Sequence, residues 1–161
     1  LTHIEFGTES FCDRTLEAYG KHFTFGDVVR ASRLALDEGV YYAHFLILGG
    51  YGDTRENVRE TIENSRRMEY TVMFPYAGMR IYPHTRLAEL AAKEGAIGRD
   101  DDLMAPSYYI SRDFDLEEVR RAALATGKAW VFPDDPQSAL ADTLRLKRNK
   151  KGPLWEYLRK P

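Results

Sequence analysis

The chain has 161 residues and a mass of 18.5 kDa, a size that corresponds to about one domain with a sizeable hydrophobic core. Its 23 Lys and Arg residues nearly balance its 25 Asp and Glu residues, so the net charge of −2 excludes an overall field that would attract nucleic acid or an anionic membrane. Aromatic residues make up 12% of the chain, a content typical of a globular protein. No apolar run approaches the roughly 20 residues that span a bilayer, so the sequence predicts a cytoplasmic protein.

The amino-terminal segment predicts one strand followed by two helices. Residues 3–7 form the first strand-like run. Ser10 is the predicted N-cap of a short helix that ends before Gly20. A second helix is expected from Thr24, as its N-cap, to Gly39, as its left-handed end.

The second strand gives the strongest structural signal in the sequence. Residues 41–48 are almost continuously apolar, which is typical of a parallel strand that is covered on both faces. Gly49 and Gly50 turn the chain after this strand. Asp53 and Glu56 then have the spacing of a capping box, so a third helix is expected to begin at Asp53.

The third predicted unit is a strand at residues 79–82, followed through Thr85 by a Leu/Ala-rich helix that ends at Gly95. The strand centres lie about 35 to 40 residues apart, so each connection has room for one crossover helix. The sequence therefore predicts an α/β fold with three parallel βα units, too few to close a barrel.

From residue 100 the pattern changes. A helix is predicted to open at Asp115, residues 130–132 form a short apolar run, and Asp135 begins a last helix. We therefore divide the chain into residues 1–99, which carry the βα units, and residues 100–161, a C-terminal helical extension.

Reactive groups in parallel βα folds collect where strands end, because those loops open on one rim. Glu9 follows the first strand, where a carboxylate either holds the diol of a ribose or favours the next helix N-terminus. Gly49 and Gly50 either bring bare backbone to a ligand or form a plain tight turn. Lys21 either pairs with a carboxylate or is a solvated charge, and Arg80, on a predicted parallel strand, needs a polar cavity or a partner.

Several chemistries are excluded by residue type and spacing. The single Cys12 can neither close an intrachain disulfide nor supply the thiolates of a zinc site or an iron–sulfur cluster. The four histidines lack metal-ligand spacing, and His44, inside the apolar strand, is interpreted as a satisfied core histidine. The basic last eighteen residues are interpreted as a solvated helix and tail without a nucleic-acid partner. No general acid or base can be assigned.

Four segments, in their order and spacing, resemble the second half of a radical SAM barrel. The resemblance covers about residues 3–98 and is greatest for the cobalamin-binding branch of that superfamily. Two departures are Tyr51 and Asp53, in a turn where the branch has Pro-Gly-Glu-Thr, and His84, where it commonly has Gly or Asn. The segments are HIEFGTES, LEAYGKHFT, HFLILGGYGDTRENVRETI and MRIYPHTRLAELAAKEG.

The resemblance implies a TIM-like partial barrel that binds S-adenosylmethionine (SAM) at the ends of its strands. It places Glu9 at the ribose and Lys21 near the methionine carboxylate of SAM. It places the end of the second strand and the segment after residue 79 along the adenine. The implied cofactor-binding residues are Glu9, Ser10, Lys21, Leu46, Leu48, Gly49, Gly50, Arg80, Ile81 and Tyr82.

The resemblance also implies a four-iron, four-sulfur cluster held by three closely spaced cysteines, which this sequence does not contain. We therefore expect the chain to be an inactive fragment of a radical SAM enzyme, with a cobalamin-linked reaction in the full-length parent. The upstream half of the same polypeptide would supply the cluster loop, and a separate domain would supply the cobalamin. The substrate is expected to be a small molecule that the sequence does not identify.

Two further expectations remain. The alternative function is a non-catalytic half-barrel module that binds a nucleotide or another protein. The unpaired outer strands of an open sheet are expected to promote self-association.

Overall fold

The computed structural model describes residues 1–98, 101–133 and 153–161. Its centre is a parallel sheet of four strands in the order β1-β2-β3-β6, and β4 and β5 form a separate antiparallel pair. The strands are β1 His3–Glu9, β2 Tyr41–Leu48, β3 Val72–Ala77, β4 Met79–Ile81, β5 Ser107–Tyr109 and β6 Ala129–Trp130. The helices are α1 Asp13–Ala18, α2 Phe25–Asp37, α3 Arg55–Asn64, α4 Arg86–Lys93 and α5 Leu116–Ala125, with 3-10 helices at Ser65–Arg67 and Leu154–Leu158.

The predicted α/β architecture with parallel βα units is confirmed. Strand β2 pairs in parallel with β1 on one side and with β3 on the other. Helices α1 and α2 connect β1 to β2, and α3 connects β2 to β3. The short β6 adds a fourth parallel strand beside Val72 and Met73, so residues beyond 100 contribute to the same sheet.

The prediction that residues 79–82 form the third parallel strand is wrong. The third parallel strand is β3, and β4 pairs antiparallel with β5. Gly78, with a φ of 75°, ends β3, and its N–H donates to the carbonyl of Leu48 at 2.8 Å. Pro75 lies inside β3, after Val72 and Met73, which are the residues that pair with β6. A strand tolerates a proline at a position where it has no hydrogen-bonded neighbour on one side.

Three predicted helix starts are confirmed, and in each case the residue is the N-cap of the helix. The Thr24 side chain accepts from the backbone N–H of Asp27, whose carboxylate accepts in return from the backbone of Thr24. Thr85 caps α4, and Asp115 caps α5. These caps are local signals, because each side chain bonds to backbone two or three residues away.

Two predicted N-caps are wrong because their side chains serve the core. Ser10 is buried and its hydroxyl bonds to that of Thr61 on α3 at 2.8 Å, and Cys12 takes the N-cap position of α1. Asp53 is also buried, and the N-cap of α3 is Thr54. The segment that begins at Asp135 lies outside the described residues.

The two faces of the parallel sheet differ in what covers them. One face, here called the helix-facing side, packs its alternate side chains against the helices in the main hydrophobic core. It includes Tyr42, Leu46, Leu48 and Met73, all at most 1% exposed. The opposite face is called the open face and carries Ala43, Phe45 and Ile47 of β2 with Val72, Phe74 and Tyr76 of β3, which pair in register.

Among the described residues, 153–161 cover the amino-terminal half of the open face. The indole of Trp155 packs there in a cluster with Ala43 and Val72, and its Nε1 donates to Glu5 of β1 at 3.1 Å. Glu156 bonds to His3 at 2.7 Å. We call residues 153–161 the terminal clamp, since they bind β1 and contact β2 and β3. Among the described helices, none has the length and apolar composition that crossing a membrane requires.

Candidate functional site

The carboxyl ends of the parallel strands bring several of the predicted site residues to one edge of the sheet. Glu9 pairs with Leu46, and Leu46 pairs with Pro75, so these three residues form one row across β1, β2 and β3. Gly49 and Gly50 follow β2 at the same edge. We call this the carboxyl edge, and it is where ligands bind in parallel α/β folds.

Glu9 and Lys21 form an ion pair at the carboxyl edge, with 3.2 Å between Nζ and Oε1. The Glu9 backbone is left-handed, with a φ of 69°, and its carboxylate lies over Gly7, where a Cβ would be 3.7 Å from Oε1. About a quarter of each charged side chain is exposed (24% for Glu9, 29% for Lys21), so both are reachable from solvent. Of the two alternatives for Lys21, the structure favours pairing with a carboxylate over a solvated charge.

A left-handed glutamate is strained, because a Cβ disfavours this backbone region. The residues on either side explain how it is held. Thr8 and Ser10 are both buried and both bond toward the helix-facing side, Thr8 to His44 at 2.6 Å and Ser10 to Thr61. These two anchors direct Glu9 away from the core. The hydroxyl of Ser10 is consequently engaged within the protein and is not free for a ligand.

The two glycines after β2 are required by close packing. A Cβ on Gly49 would overlap the ring of Phe114, and the φ of Gly49 is 75°. Its N–H donates to Asp53 at 2.9 Å and its carbonyl accepts from Ser111 at 2.8 Å. A Cβ on Gly50 would likewise overlap a neighbouring hydroxyl. For Gly49, the tight turn is therefore favoured over a backbone ligand site, because both of its polar groups are already bonded.

Tyr19 lies beside Gly50, and no sequence motif predicted a role for it at this edge. Its hydroxyl is buried and has no hydrogen-bond partner among the described residues. Burial, with the nearby charges of Asp53 and Glu9, raises the pKa of Tyr19 well above its usual value. Asp53 accepts from the Thr15 hydroxyl at 2.7 Å, and burial raises the pKa of this carboxyl as well. The hydrogen bonds that Asp53 accepts from Thr15 and Gly49 stabilise the turn, and the hydroxyl of Tyr19 faces the protein interior.

Leu46 and Leu48 do not present their side chains to a ligand. Both are at most 1% exposed and pack on the helix-facing side, so only their backbone could contact an adenine on the open face. The side chains of β2 that reach the open face at this end are Phe45 and Ile47. Alternation along a strand explains the difference, because successive residues point to opposite faces.

The segment from Arg80 to Tyr82 does not lie in the parallel sheet. Ile81 is buried in a small separate core with Ala91 and Tyr109. Arg80 and Tyr82 are exposed, with the guanidinium 4.8 Å from the ring centroid of Tyr82. Arg80 lies on the antiparallel β4–β5 pair and not on a parallel strand, and of the two alternatives the structure favours a partner, the Tyr82 ring, over a polar cavity. The structure thus brings Glu9, Lys21 and the two glycines to the carboxyl edge, and β4, which carries Arg80, begins beside the end of β2 through the hydrogen bond from Gly78 to Leu48.

Three aromatic side chains at the carboxyl end of the open face were missed by the sequence analysis. The ring of Phe45 stacks on that of Phe74, with centroids 5.0 Å apart and 19° between the planes. Phe45 also stacks on Tyr76, at 6.2 Å and 16°. We call Phe45, Phe74 and Tyr76 the ring panel. All three keep solvent-exposed surface, and Tyr76 is 45% exposed.

His44 is confirmed as a satisfied core histidine. Its Nδ1 bonds to Thr8 and its Nε2 to Ser32 at 3.2 Å. The Ser32 hydroxyl donates to the carbonyl of Val28 at 2.8 Å, so it accepts from Nε2, and Nδ1 accepts from Thr8. Burial lowers the pKa of His44 to about 3, so the ring is neutral at physiological pH.

The described residues do not fit an iron–sulfur cluster. Within residues 1–98, 101–133 and 153–161, no three His, Cys, Asp or Glu side chains are grouped as metal ligands. Cys12 is buried, and it is the only cysteine in the sequence. The carboxyl edge does fit part of SAM, because the Glu9 carboxylate suits a ribose diol and Lys21 suits a carboxylate.

Comparisons with known proteins identify relatives in sequence and in fold. No family model matches the chain. Over 86 residues the chain is 30% identical to an uncharacterized methyltransferase of Pyrococcus horikoshii, an alignment that covers 50% of this chain and 19% of that protein. The archaeal Elp3 of Methanocaldococcus infernus has a TM-score of 0.54 and 16% identity, covering 91% of this chain and 35% of Elp3.

The radical SAM methyltransferase TsrM from Kitasatospora setae, solved with its tryptophan substrate and a SAM analogue, gives a TM-score of 0.68. The match covers 98% of this chain and 40% of TsrM, at 18% identity. A second TsrM structure contains cobalamin and a [4Fe-4S] cluster. The chain spans well under half the length of each of these relatives. The chain therefore has a fold similar to that of TsrM, and the α/β partial barrel of the radical SAM type that the sequence resemblance implied is confirmed.

Proposed function

We propose that this chain is the SAM-binding carboxyl-terminal part of a longer radical SAM enzyme that carries out a cobalamin-linked reaction. Residues 1–99 would complete the partial barrel, and residues 100–161 would form its extension. The observation that carries the proposal is the half-buried Glu9–Lys21 pair at the carboxyl edge, in which Glu9 has a left-handed backbone. Strain of this kind persists where the surrounding structure holds it for a function.

The pair has the chemistry to position SAM. The Glu9 carboxylate accepts the two hydrogen bonds of the ribose diol, and the Lys21 ammonium attracts the carboxylate of the methionine part. Bound SAM supplies a sulfonium whose methyl or adenosyl group is the transferable part. The role of the chain is to hold this cofactor in one orientation over the open face, a contribution of positioning and not of acid–base catalysis.

The other cofactors would be held by other parts of the polypeptide. A single buried Cys12 does not fit a cluster site, so the cluster loop is proposed to lie in an upstream half and the cobalamin in a separate domain. The 161-residue chain alone is then inactive, and its exposed β1 edge is expected to promote self-association. The cytoplasm remains the expected location.

SAM affinity tests the proposal directly. In the full-length polypeptide, we expect Glu9→Gln to weaken SAM binding by about tenfold or more, because hydrogen bonds to a charged acceptor are lost. Glu38→Gln, at the exposed end of α2, is the control and should bind SAM like the unchanged protein. Isothermal titration under anaerobic conditions measures both affinities.

Nucleoside products then separate the enzyme from the non-catalytic alternative. After anaerobic iron–sulfide reconstitution, the full-length polypeptide should convert SAM to 5′-deoxyadenosine or S-adenosylhomocysteine, while the 161-residue chain should not. SAM binding without either product would favour a nucleotide-binding module. Failure of the full-length polypeptide to bind SAM, or equal affinity of Glu9→Gln and the unchanged protein, would overturn the proposal.

A further inference from the structure

Strand β1 contains one extra residue just before Glu9. Phe6 pairs with His44 of β2. The next paired row is Glu9 with Leu46, so three steps along β1 correspond to two steps along β2. This irregularity has the residue count of a β-bulge, which bends a strand and changes the direction of its side chains. The left-handed backbone of Glu9 lies at the end of this segment, so pairing with β2 does not by itself set the position of its carboxylate.

His44 contacts both ends of the irregular segment from inside the core. Its ring stacks on the ring of Phe6, with centroids 5.3 Å apart and 19° between the planes. Its Nδ1 accepts from the hydroxyl of Thr8 at 2.6 Å. His44 and Thr8 are at most 3% exposed, so this hydrogen bond is shielded from water. The imidazole therefore connects the last regularly paired residue of β1 to the residue that precedes Glu9.

Helix α2 fixes the orientation of this imidazole. The hydroxyl of Ser32 donates to the carbonyl of Val28 at 2.8 Å, so its oxygen accepts from Nε2 at 3.2 Å. The ring proton therefore lies on Nε2, and Nδ1 keeps the lone pair that the hydroxyl of Thr8 needs. The ring of Phe11 packs edge-on against the imidazole at 5.2 Å. Held in this way by its neighbours, the imidazole is a fixed acceptor for Thr8.

We infer that His44 is a positioning residue for the candidate site, because it holds Thr8 and, through Thr8, the left-handed backbone of Glu9. The inference rests on the proposed function for the identity of the ligand as SAM. A glutamate without this support relaxes toward the ordinary backbone regions, since a Cβ disfavours the left-handed one. Only the molecules that keep the left-handed conformation then bind SAM tightly, so the apparent affinity falls with their fraction.

Removal of one hydroxyl tests this connection. In the full-length polypeptide, Thr8→Val loses the hydrogen bond to His44, and we expect it to weaken SAM binding about fivefold in isothermal titration. The loss is partial because Ser10 still anchors the other side of Glu9. Thr8→Ser keeps the hydroxyl and should retain the affinity. Thr71→Val is the matched control, because Thr71 is similarly buried and donates to a backbone carbonyl of β2 at the amino-terminal end of the sheet.

Two replacements of His44 separate the roles of its nitrogens. The amide of an asparagine lies two bonds from Cβ, as Nδ1 does, whereas the amide of a glutamine lies three bonds away, as Nε2 does. We expect both variants to be less stable, but His44→Asn should keep the bond to Thr8 and bind SAM about threefold more tightly than His44→Gln. Equal SAM affinities of the two variants would mean that His44 serves the core alone, and would overturn the inference.

The backbone of Glu9 is followed directly by NMR in the full-length polypeptide labelled with ¹³C at its glutamates. Loss of one signal in Glu9→Gln assigns that signal to Glu9. Support requires Thr8→Val to shift this signal and to weaken SAM binding, while Thr8→Ser and Thr71→Val do neither. An unchanged signal or affinity in Thr8→Val, or an equal weakening by Thr71→Val, overturns the inference and leaves the proposed function intact.

Failure of the proposed function gives a different result. If the unchanged polypeptide does not bind SAM, the proposed function is wrong, and the signal of Glu9 alone decides the inference. A shift of that signal in Thr8→Val, and not in Thr71→Val, then supports the positioning role of His44. No shift overturns it.

Discussion

The helix-facing side and the open face of the sheet differ in how their side chains are packed and exposed. The helix-facing side forms the main hydrophobic core, and its buried imidazole, His44, has both nitrogens bonded. The open face is closed at its amino-terminal half by the terminal clamp and exposes aromatic rings and a strained ion pair at the other half. We therefore expect the helix-facing side and the clamped half of the open face to provide stability. Ligand binding is expected at the carboxyl-terminal half of the open face.

The largest expected loss of stability comes from alanine substitution on β2, where two neighbouring residues face opposite sides of the sheet. Leu46→Ala should lower the free energy of unfolding by about 3 to 4 kcal/mol, because Leu46 is fully buried among the helices and leaves a cavity. Ile47→Ala, on the open face and partly exposed, should cost about 1 kcal/mol. Urea denaturation of both variants measures the difference. Equal losses would show that the two faces contribute alike.

The terminal clamp is the next test. Trp155→Ala should cost about 3 kcal/mol, since it removes a buried indole and leaves Glu5 without its donor. Tyr157→Ala, in the same 3-10 helix and 39% exposed, is the control and should cost less than about 1 kcal/mol. Thermal and urea unfolding both report the effect. A Trp155→Ala variant as stable as the control would mean that the clamp does not stabilise the sheet.

Acid provides a test of the helix-facing side alone. The pKa of His44 falls from 6.5 to about 3 in the folded chain, so the unfolded state binds the extra proton as the pH drops. Above pH 6.5 His44 is neutral in both states and does not lower the free energy of unfolding. As the pH falls from 6.5 toward 3, protonation of His44 in the unfolded state progressively lowers that free energy. Between pH 7 and pH 5 the loss from this residue is about 2 kcal/mol.

The control for this test is His44→Gln, which removes the titrating ring and retains an amide that can donate and accept. The variant should be less stable at pH 7 but should lose about 2 kcal/mol less than the unchanged chain between pH 7 and pH 5. Urea denaturation at both pH values gives the two slopes. Parallel slopes would contradict the assignment of a depressed pKa to His44.

The smallest effect is expected at the ion pair of the clamp. The hydrogen bond from His3 holds the pKa of Glu156 in the folded chain below its usual 4.5. The ionised Glu156 carboxylate therefore contributes to stability above pH 4.5, and this contribution is lost as the pH falls through the pKa of the folded chain. Glu156→Gln should cost less than about 1 kcal/mol at pH 7, because the pair is near the surface. A loss as large as that of Trp155→Ala would place the ion pair, and not the indole, at the centre of the clamp.

Local signals predicted much of the fold. The run of residues 41–48 identified β2, and the side chains of Thr24, Thr85 and Asp115 identified helix starts, because strand burial and capping depend on nearby residues. The third strand was misplaced because Pro75 normally breaks a central strand. Strand β3 tolerates this proline because β6 pairs only with Val72 and Met73. The length of β6 beside β3 is a long-range property that the sequence does not reveal.

The candidate site was predicted less completely, for a related reason. Glu9 and Lys21 were identified because each follows a strand or helix end, and the structure pairs them. In a parallel strand both faces are apolar, so alternation within residues 41–48 does not reveal which set faces the helices. Leu46 was therefore selected where Phe45 reaches the open face, and the ring panel, which needs the register of two strands, was missed.

The packing of Phe114 against Gly49 has a consequence for how such chains diversify. A side chain at position 49 would require both a smaller residue at position 114 and a backbone that leaves the left-handed region. The turn after β2 and the loop before α5, some sixty residues apart, are thus expected to change only through paired substitutions. A library that varies the two positions jointly should recover folded combinations that single replacements at Gly49 never yield.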